Sequence, residues 1–265
     1  MDLNTAAIYF GVSAVIIMFL FNIFHCMLAS IFGVRIERFG MLTSFGDKHI
    51  LKFKRHQTEY CLGWIPTGGF VKISGMIDER LDTSEPFQIE DYMLLSKPPI
   101  VRIICTIGAP ILLLIPFLIS INFIAPSGSL SEGFQIIIDI LHNIYQYISG
   151  TIDVTQTESN WNTITNTANL FPIILALLTL IIAISSTISM IVAFMGQKAE
   201  KALIFLYIVM LVCYIYLLYK LGALYFSMYS FSDFLVSLLK FVVPIYIFCT
   251  LIMLFIKILP KNKYI

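Results

Sequence analysis

Charge is scarce in this sequence. Only 12% of its 265 residues are Asp, Glu, Lys or Arg, against 58% hydrophobic ones, and the mean hydropathy is +0.89. So little polar surface cannot cover a soluble globule, which leaves an integral membrane protein as the class. Acidic residues are missing altogether from five long apolar stretches, residues 6–32, 99–125, 169–195, 203–224 and 234–259. Each is long enough to cross a hydrocarbon core of about 30 Å, which takes roughly 20 helical residues. The absence of intramembrane carboxylates also argues against a proton-coupled transporter or channel. Cysteine is sparse as well, at positions 26, 61, 105, 213 and 249, with no C-x-x-C pair. That excludes a disulfide framework and a thiolate zinc site, so the cysteines read as small apolar residues. No Gly-rich phosphate loop, internal repeat or low-complexity tract is present. With a net charge of +1 and no basic stripe, nucleic acid is not an expected partner.

The first apolar stretch reads as a retained span. It is too long for a signal peptide, no cationic region precedes it, and no small-residue cleavage site follows. The charge that does exist is distributed unevenly. Residues 33–98 carry Arg35, Arg38, Lys48, Lys52, Lys54, Arg55, Lys72, Arg80 and Lys97, whereas residues 126–168 carry no Lys or Arg. Lys198 and Lys201 mark the next connection, and Lys257, Lys261 and Lys263 the tail. Basic residues in short loops stay cytoplasmic, so five spans with the N-terminus outside and the C-terminus in the cytoplasm fit these positions. Lys220 and Lys240 fall near the outer side, where their stems reach headgroups.

Between Lys48 and Ser74 the pattern changes from helical to alternating, through HILKFK, TEYCLGWIP and FVKIS. Two or three short strands are expected, with Pro66 and the Gly68-Gly69 pair forming the turn. Tyr60, Leu62, Trp64, Phe70 and Val71 are apolar for a soluble loop, so the hairpin is expected to lie against the membrane helices. The expected fold is therefore an all-α polytopic membrane protein of five transmembrane helices, with a membrane-associated cytoplasmic β-hairpin after the first. In the 126–168 segment, SEGFQIIIDILHNIYQYIS places Glu132, Gln135, Asp139, His142, Asn143 and Gln146 on one helical face. It reads as an amphipathic helix in the outer interface, on a partner, or on the protein's own outer face. The polar stretch 151–167 then leads back to the membrane.

GVRIERFGMLTSFG at 33–46 and EYCLGWIPTGGFVKISG at 59–75 closely resemble the region after the first span of the site-2 proteases, a family of intramembrane zinc metalloproteases. KPPIVRIICTIGAPILLL at 97–114 resembles that family's entry to its second span. NLFPIILALL at 169–178 resembles its N-x-x-P-x-x-x-L-D-G motif. The resemblance covers about residues 5–220 in the right order. It implies a membrane core over 1–220, with 33–98 as the cytoplasmic loop and 126–168 as the outer loop. Residues 221–265 then add a further transmembrane helix and a cationic tail. The family's outer PDZ domain has no room here.

Carried over position by position, the resemblance puts H-E-x-x-H on Phe21, Asn22, Ile23, Phe24 and His25. A zinc histidine is replaced by Phe21, the general base by Asn22, and the third-motif aspartate by Leu177. An alternative register, starting at His25, keeps one ligand and still loses the rest. Catalytic zinc takes three protein ligands and a carboxylate base, so neither register supplies a working site. His25 then reads as a polar residue hydrogen-bonded to Asn22 or Asn169. His49 and His56 with loop carboxylates form at most an adventitious metal site.

The expected protein is thus a catalytically inactive, site-2-protease-like one of the bacterial inner membrane, needing no cofactor. It would act as a subunit of a membrane complex or hold an extended peptide or transmembrane segment. Trp64, Pro66, Gly68, Gly69, Phe70, Val71 and Lys72 are the expected binding residues, and the surrounding lipid is a further partner. The alternatives are an active protease with nonstandard ligands and a transporter component.

Overall fold

The computed structural model describes residues 3–44, 48–75, 89–195 and 200–259. Arg80, Lys198, Lys261 and Lys263 lie outside them. In chain order the elements are α1 (Leu3–Ile31), β1 (Ile36–Thr43), β2 (Leu51–Arg55), β3 (Thr58–Leu62), β4 (Ile65–Ile73), α2 (Pro99–Leu112), α3 (Leu114–Asn122), α4 (Leu130–Ser149), α5 (Val154–Thr167), α6 (Leu170–Met195), α7 (Glu200–Met228) and α8 (Phe231–Ile258), with a 3-10 turn at Leu94–Ser96. Among the described residues, five helical segments are long and apolar enough to cross a membrane: Asn4–Ile31, Pro99–Asn122, Leu170–Ile188, Leu211–Met228 and Phe231–Ile258. Each overlaps one of the five stretches read from the sequence, the fourth starting later than the expected 203.

The chain divides into two compact units. One comprises Met1–Ser13 with Leu114–Phe241, and the other Ala14–Leu113 with Val242–Ile265. Pro116 has no N–H to offer the carbonyl of Leu112 and its ring crowds that carbonyl, so the helix is interrupted between α2 and α3.

In the second unit the expected hairpin is replaced by a four-stranded sheet of order β2-β3-β1-β4. β2 and β3 form a tight antiparallel hairpin closing at Arg55↔Thr58. β3 then pairs parallel with β1, and β4 pairs antiparallel on the other side of β1. The segment Ile36–Thr43 lies outside the Lys48–Ser74 region from which strands are expected, yet it forms β1. Nor do Pro66, Gly68 and Gly69 form a turn, since all three lie within β4. The register of β1 with β4 slips between Met41 and Thr43, where Leu42 and Gly68 both take positive φ, 61° and 85°. A bulge at these positions absorbs the residues that sequence reading assigned to a turn.

Across the sheet, side chains sort by the two-residue period. Lys54, Glu59, Arg38 and Lys72 form one cross-strand row, in which Arg38 Nε bonds Glu59 Oε1 at 2.8 Å, and Lys52 reaches the same carboxylate at 3.2 Å. The row displaced by one residue is Phe53, Tyr60, Phe39 and Val71. Here the Phe53 and Tyr60 rings stack with centroids 5.3 Å apart.

In the first unit, α4 and α5 form a helical pair capped at both starts. Ser129 accepts from the Glu132 amide, and Asp153 with Gln156 makes a reciprocal capping box. Gly150, at φ 77°, ends α4 in the left-handed conformation that glycine favours. The stretch 151–167, read from the sequence as a polar lead, is thus largely helix α5. Phe117, Ile121, Ile124, Ile137, Ile140, Ile173 and Ala176 form the core of this unit. The helix at 130–149 therefore packs one face on its own chain.

Candidate functional site

Helix α1 buries one stripe in the second unit, with Ile17 buried on another side. Val15, Met18, Asn22, His25 and Ala29 are all at most 8% exposed, and their spacing of three and four residues puts them on one side of the helix. Two polar residues on that stripe must find partners, because a buried polar group without one costs about 1–3 kcal/mol. Asn22 is 1% exposed, and its Nδ2 donates to the carbonyl oxygen of Gly40 at 3.0 Å. His25 is 4% exposed, and its Nδ1 lies 3.1 Å from the carbonyl oxygen of Phe21. The expected partners of His25, Asn22 and Asn169, are therefore replaced by its own helix backbone. Asn169 lies in the other unit, where its side chain donates to Phe123 O and its backbone N–H to Ile124 O.

The motif positions and the β4 positions meet at one point. A Cβ on Gly69 would sit 2.5 Å from Asn22 Nδ2, 2.7 Å from Gly40 O and 3.1 Å from Met18 Cγ. Only glycine lets β4 come this close to α1. One strand over, a Cβ on Gly40 would lie 2.3 Å from the Phe70 ring, which is draped across its cross-strand partner. Gly40 was not singled out from the sequence. Its signal was a glycine inside an otherwise apolar F-G-M-L run. Gly68, by contrast, has nothing within 4 Å of its would-be Cβ.

The remaining β4 residues fall along the same strand. Val71 pairs with Phe39 and Lys72 with Arg38, and Lys72 Nζ lies 3.6 Å from Glu37. Pro66 lacks an N–H and is tolerated because β4 is an edge strand. Trp64, just before β4, is 46% exposed, yet its carbonyl accepts from the Tyr246 hydroxyl on α8. Arg55 Nη1 donates to the carbonyl oxygen of Ile256 near the end of the same helix, at 2.6 Å. A cation at a helix C-terminus satisfies carbonyls that have no intrahelical partner. The fifth apolar helix therefore bonds to the sheet at both Trp64 and Arg55, a role with no pattern in the sequence to announce it.

Burial dominates the titration of the sheet's interior. It pushes the Cys61 thiol up to about 11, with Arg38 and Lys52 opposing and Glu59 reinforcing. Burial likewise raises the Tyr60 hydroxyl. Neither group is ionised near neutral pH.

Leu177 belongs to the other unit and is half-buried against the Ile173 and Ala176 core. It has no ligand atom. A catalytic zinc ion requires three donors at about 2.0–2.3 Å in tetrahedral array. Of the motif positions, only His25 brings a nitrogen ligand, through Nε2, and the Phe21 ring packs against its imidazole at 4.5 Å. The residues present do not fit the ion. Among the described residues, no group of three or more His, Cys, Asp or Glu converges on a point that could hold a metal.

A protein from Helicobacter pylori (strain J99 / ATCC 700824), named "Putative zinc metalloprotease", is 33% identical over 82 residues, which is 31% of this chain and 23% of that protein. The match thus spans less than a quarter of that relative's length. The sequence profile of peptidase family M50 matches residues 9–224, covering most of α1, the sheet, α2 to α6 and all but the end of α7, with α8 beyond it. The chain belongs to peptidase family M50, the site-2 protease family.

Proposed function

We propose that this chain is a non-catalytic member of its family, which holds an extended peptide, a transmembrane segment or a neighbouring subunit of a membrane complex on the outer edge of β4. The observation that carries the reading is the use made of Asn22. The position aligned with the family's base carries an amide whose N–H is committed to Gly40 O. An amide cannot take a proton from water at neutral pH. Phe21 and Leu177 at two ligand positions bring no donor atom.

The strand remains where the catalyst does not. Gly69 to Lys72 run in continuous register with β1, and the far side of β4 pairs with no other strand among the described residues. A peptide strand adds to such an edge through main-chain hydrogen bonds. In this reading the sheet lies at the cytoplasmic face of a bacterial inner membrane, with the N-terminus outside. Residues 1–220 form the family core, and 221–265 add the helix that braces the sheet. No cofactor is needed.

The test is elemental analysis and affinity purification of the full chain in mild detergent. The expected result is zinc well below one equivalent, no cleavage of membrane substrates, and a stoichiometric partner lost from Gly68→Val protein that still folds, with a melt lowered by the strain of valine at a positive φ. Stoichiometric zinc together with cleavage overturns the proposal. A second reading rests on the family itself, whose members are metalloproteases: an active enzyme with nonstandard ligands that include His25. Equal zinc content in wild type and His25→Ala removes it.

A further inference from the structure

Helix α4 carries more apolar surface than its own chain covers. Gly133, Ile137, Ile140 and Tyr147 face inward, each at most 9% exposed. Immediately beside this stripe, Leu130, Ile138, Leu141 and Tyr145 are 44%, 54%, 44% and 67% exposed. At 3.6 residues per turn these four fall within an arc of about 80°. Glu132, Gln135, Asp139, His142 and Gln146 occupy the third side. The helix therefore has one face on protein, one face polar, and an apolar face between them that no described part of the chain covers.

What covers that face follows from where the helix lies. Near its start, Gly133 approaches the carbonyl of Ile121 so closely that a Cβ would come within 2.2 Å, and Phe134 meets Phe117 edge to face at 6.1 Å. Both partners lie on α3, Ile121 at its last turn. In its middle, Ile137 and Ile140 share a core with Ile173 and Ala176 of the first turns of α6. At its end, the Tyr147 hydroxyl donates to the carbonyl of Lys220 at 3.3 Å, and the Tyr216 hydroxyl of α7 donates to the carbonyl of Ile148 at 3.4 Å. Thus α4 lies against parts of three segments long and apolar enough to span a bilayer, near the ends of α3 and α6. The Lys220 ammonium sits over the Tyr147 and Tyr216 rings at 5.8 and 6.0 Å. Lysine and tyrosine gathered in this way mark the headgroup level of a membrane.

We propose that α4 is an interfacial helix whose Leu130, Ile138, Leu141 and Tyr145 face sinks into the headgroup–acyl boundary of the lipid bilayer. Its inner face grips α3, α6 and α7, and its polar face meets water. The helix has no Lys or Arg and carries Glu132 and Asp139, so apolar burial drives the contact and a zwitterionic lipid suffices. The inference depends on the helices crossing a bilayer and is independent of whether the chain is a protease.

The test is photo-crosslinking of the full chain in phosphatidylcholine vesicles. A benzophenone amino acid is placed singly at Ile138, Leu141 and Tyr145, and in a second set at Gln135, Asp139 and His142. Each labelled protein is first required to melt like the unlabelled chain, and Leu130 replaces any position that does not. Mass spectra are expected to show one-phosphatidylcholine adducts from the first set and at least fivefold fewer from the second. Equal lipid labelling of both sets overturns the proposal. So does crosslinking of the first set to a second copy of the chain, or its failure to label lipid at all.

Discussion

The Phe21 and His25 rings meet edge to face, with centroids 4.5 Å apart and planes at 74°. These are the two positions, one helical turn apart, on which the motif resemblance would place paired zinc histidines. The i to i+4 spacing that would aim two imidazoles at one ion instead packs a benzyl group against an imidazole. The His25 Nδ1 atom is held by the Phe21 carbonyl.

Phe21→His restores that pair. With the backbone unchanged, two imidazoles on adjacent turns form a partial metal site. The variant is expected to show a zinc-dependent rise in melting temperature that wild type lacks, equivalent to about 2.7 kcal/mol at a hundredfold excess of metal over its dissociation constant. The check is a thermal melt in detergent with and without zinc. An equal response in wild type would show that the native donors already hold the ion.

Asn22→Asp keeps the size of the side chain and removes its donor. The buried carboxylate then faces the Gly40 carbonyl, with no cation to pair it. A loss of about 3 kcal/mol or more is expected, against about 1–2 kcal/mol for Asn22→Ala. Denaturation followed by the fluorescence of Trp64 and Trp161 measures both. An unchanged Asn22→Asp midpoint would mean that the tie to Gly40 contributes nothing.

Gly69→Ala forces a methyl group into the space between Asn22 and Gly40 and is expected to cost about 1–3 kcal/mol by overpacking. Gly68→Ala meets open space and only the strain of a positive φ, roughly 1 kcal/mol. Pairing Gly69→Ala with Asn22→Ala relieves part of the clash, so the double variant should be more stable than the sum of the single losses. Strict additivity would separate β4 from α1 energetically.

Cys61 makes stability fall at high pH. Its thiol titrates near 9 when unfolded and near 11 in the sheet. The folded state therefore binds the proton more tightly, and its advantage is complete below about pH 9 and declines as pH rises toward 11. Subtracting the melts of Cys61→Ala from those of wild type between pH 7 and 11 isolates the effect. A difference that stays flat through pH 9 to 11 would contradict the buried thiol.

Tyr246→Phe removes the hydroxyl that α8 donates to the Trp64 carbonyl. About 1 kcal/mol of stability is expected to go, with a change in Trp64 emission. Without such a change, the Tyr246 hydroxyl would take no part in the bracing of the sheet by the fifth apolar helix.

The amino-acid order by itself determined the membrane class, the five apolar stretches, the motif resemblance to the family, and that neither an imidazole nor a carboxylate stands at Phe21, Asn22 or Leu177. These follow from composition, run length and residue identity, which need no knowledge of neighbours. The same order misled at Gly68 and Gly69, where local turn chemistry suggested a hairpin. Only the tertiary structure decided that β1 sits between β3 and β4, because a parallel β1–β3 pairing depends on segments about 20 residues apart finding one another. It alone put Asn22 under Gly69 and Arg55 on the end of α8. Close approach and helix-end capping are properties of two surfaces in contact, and neither surface's sequence encodes the other.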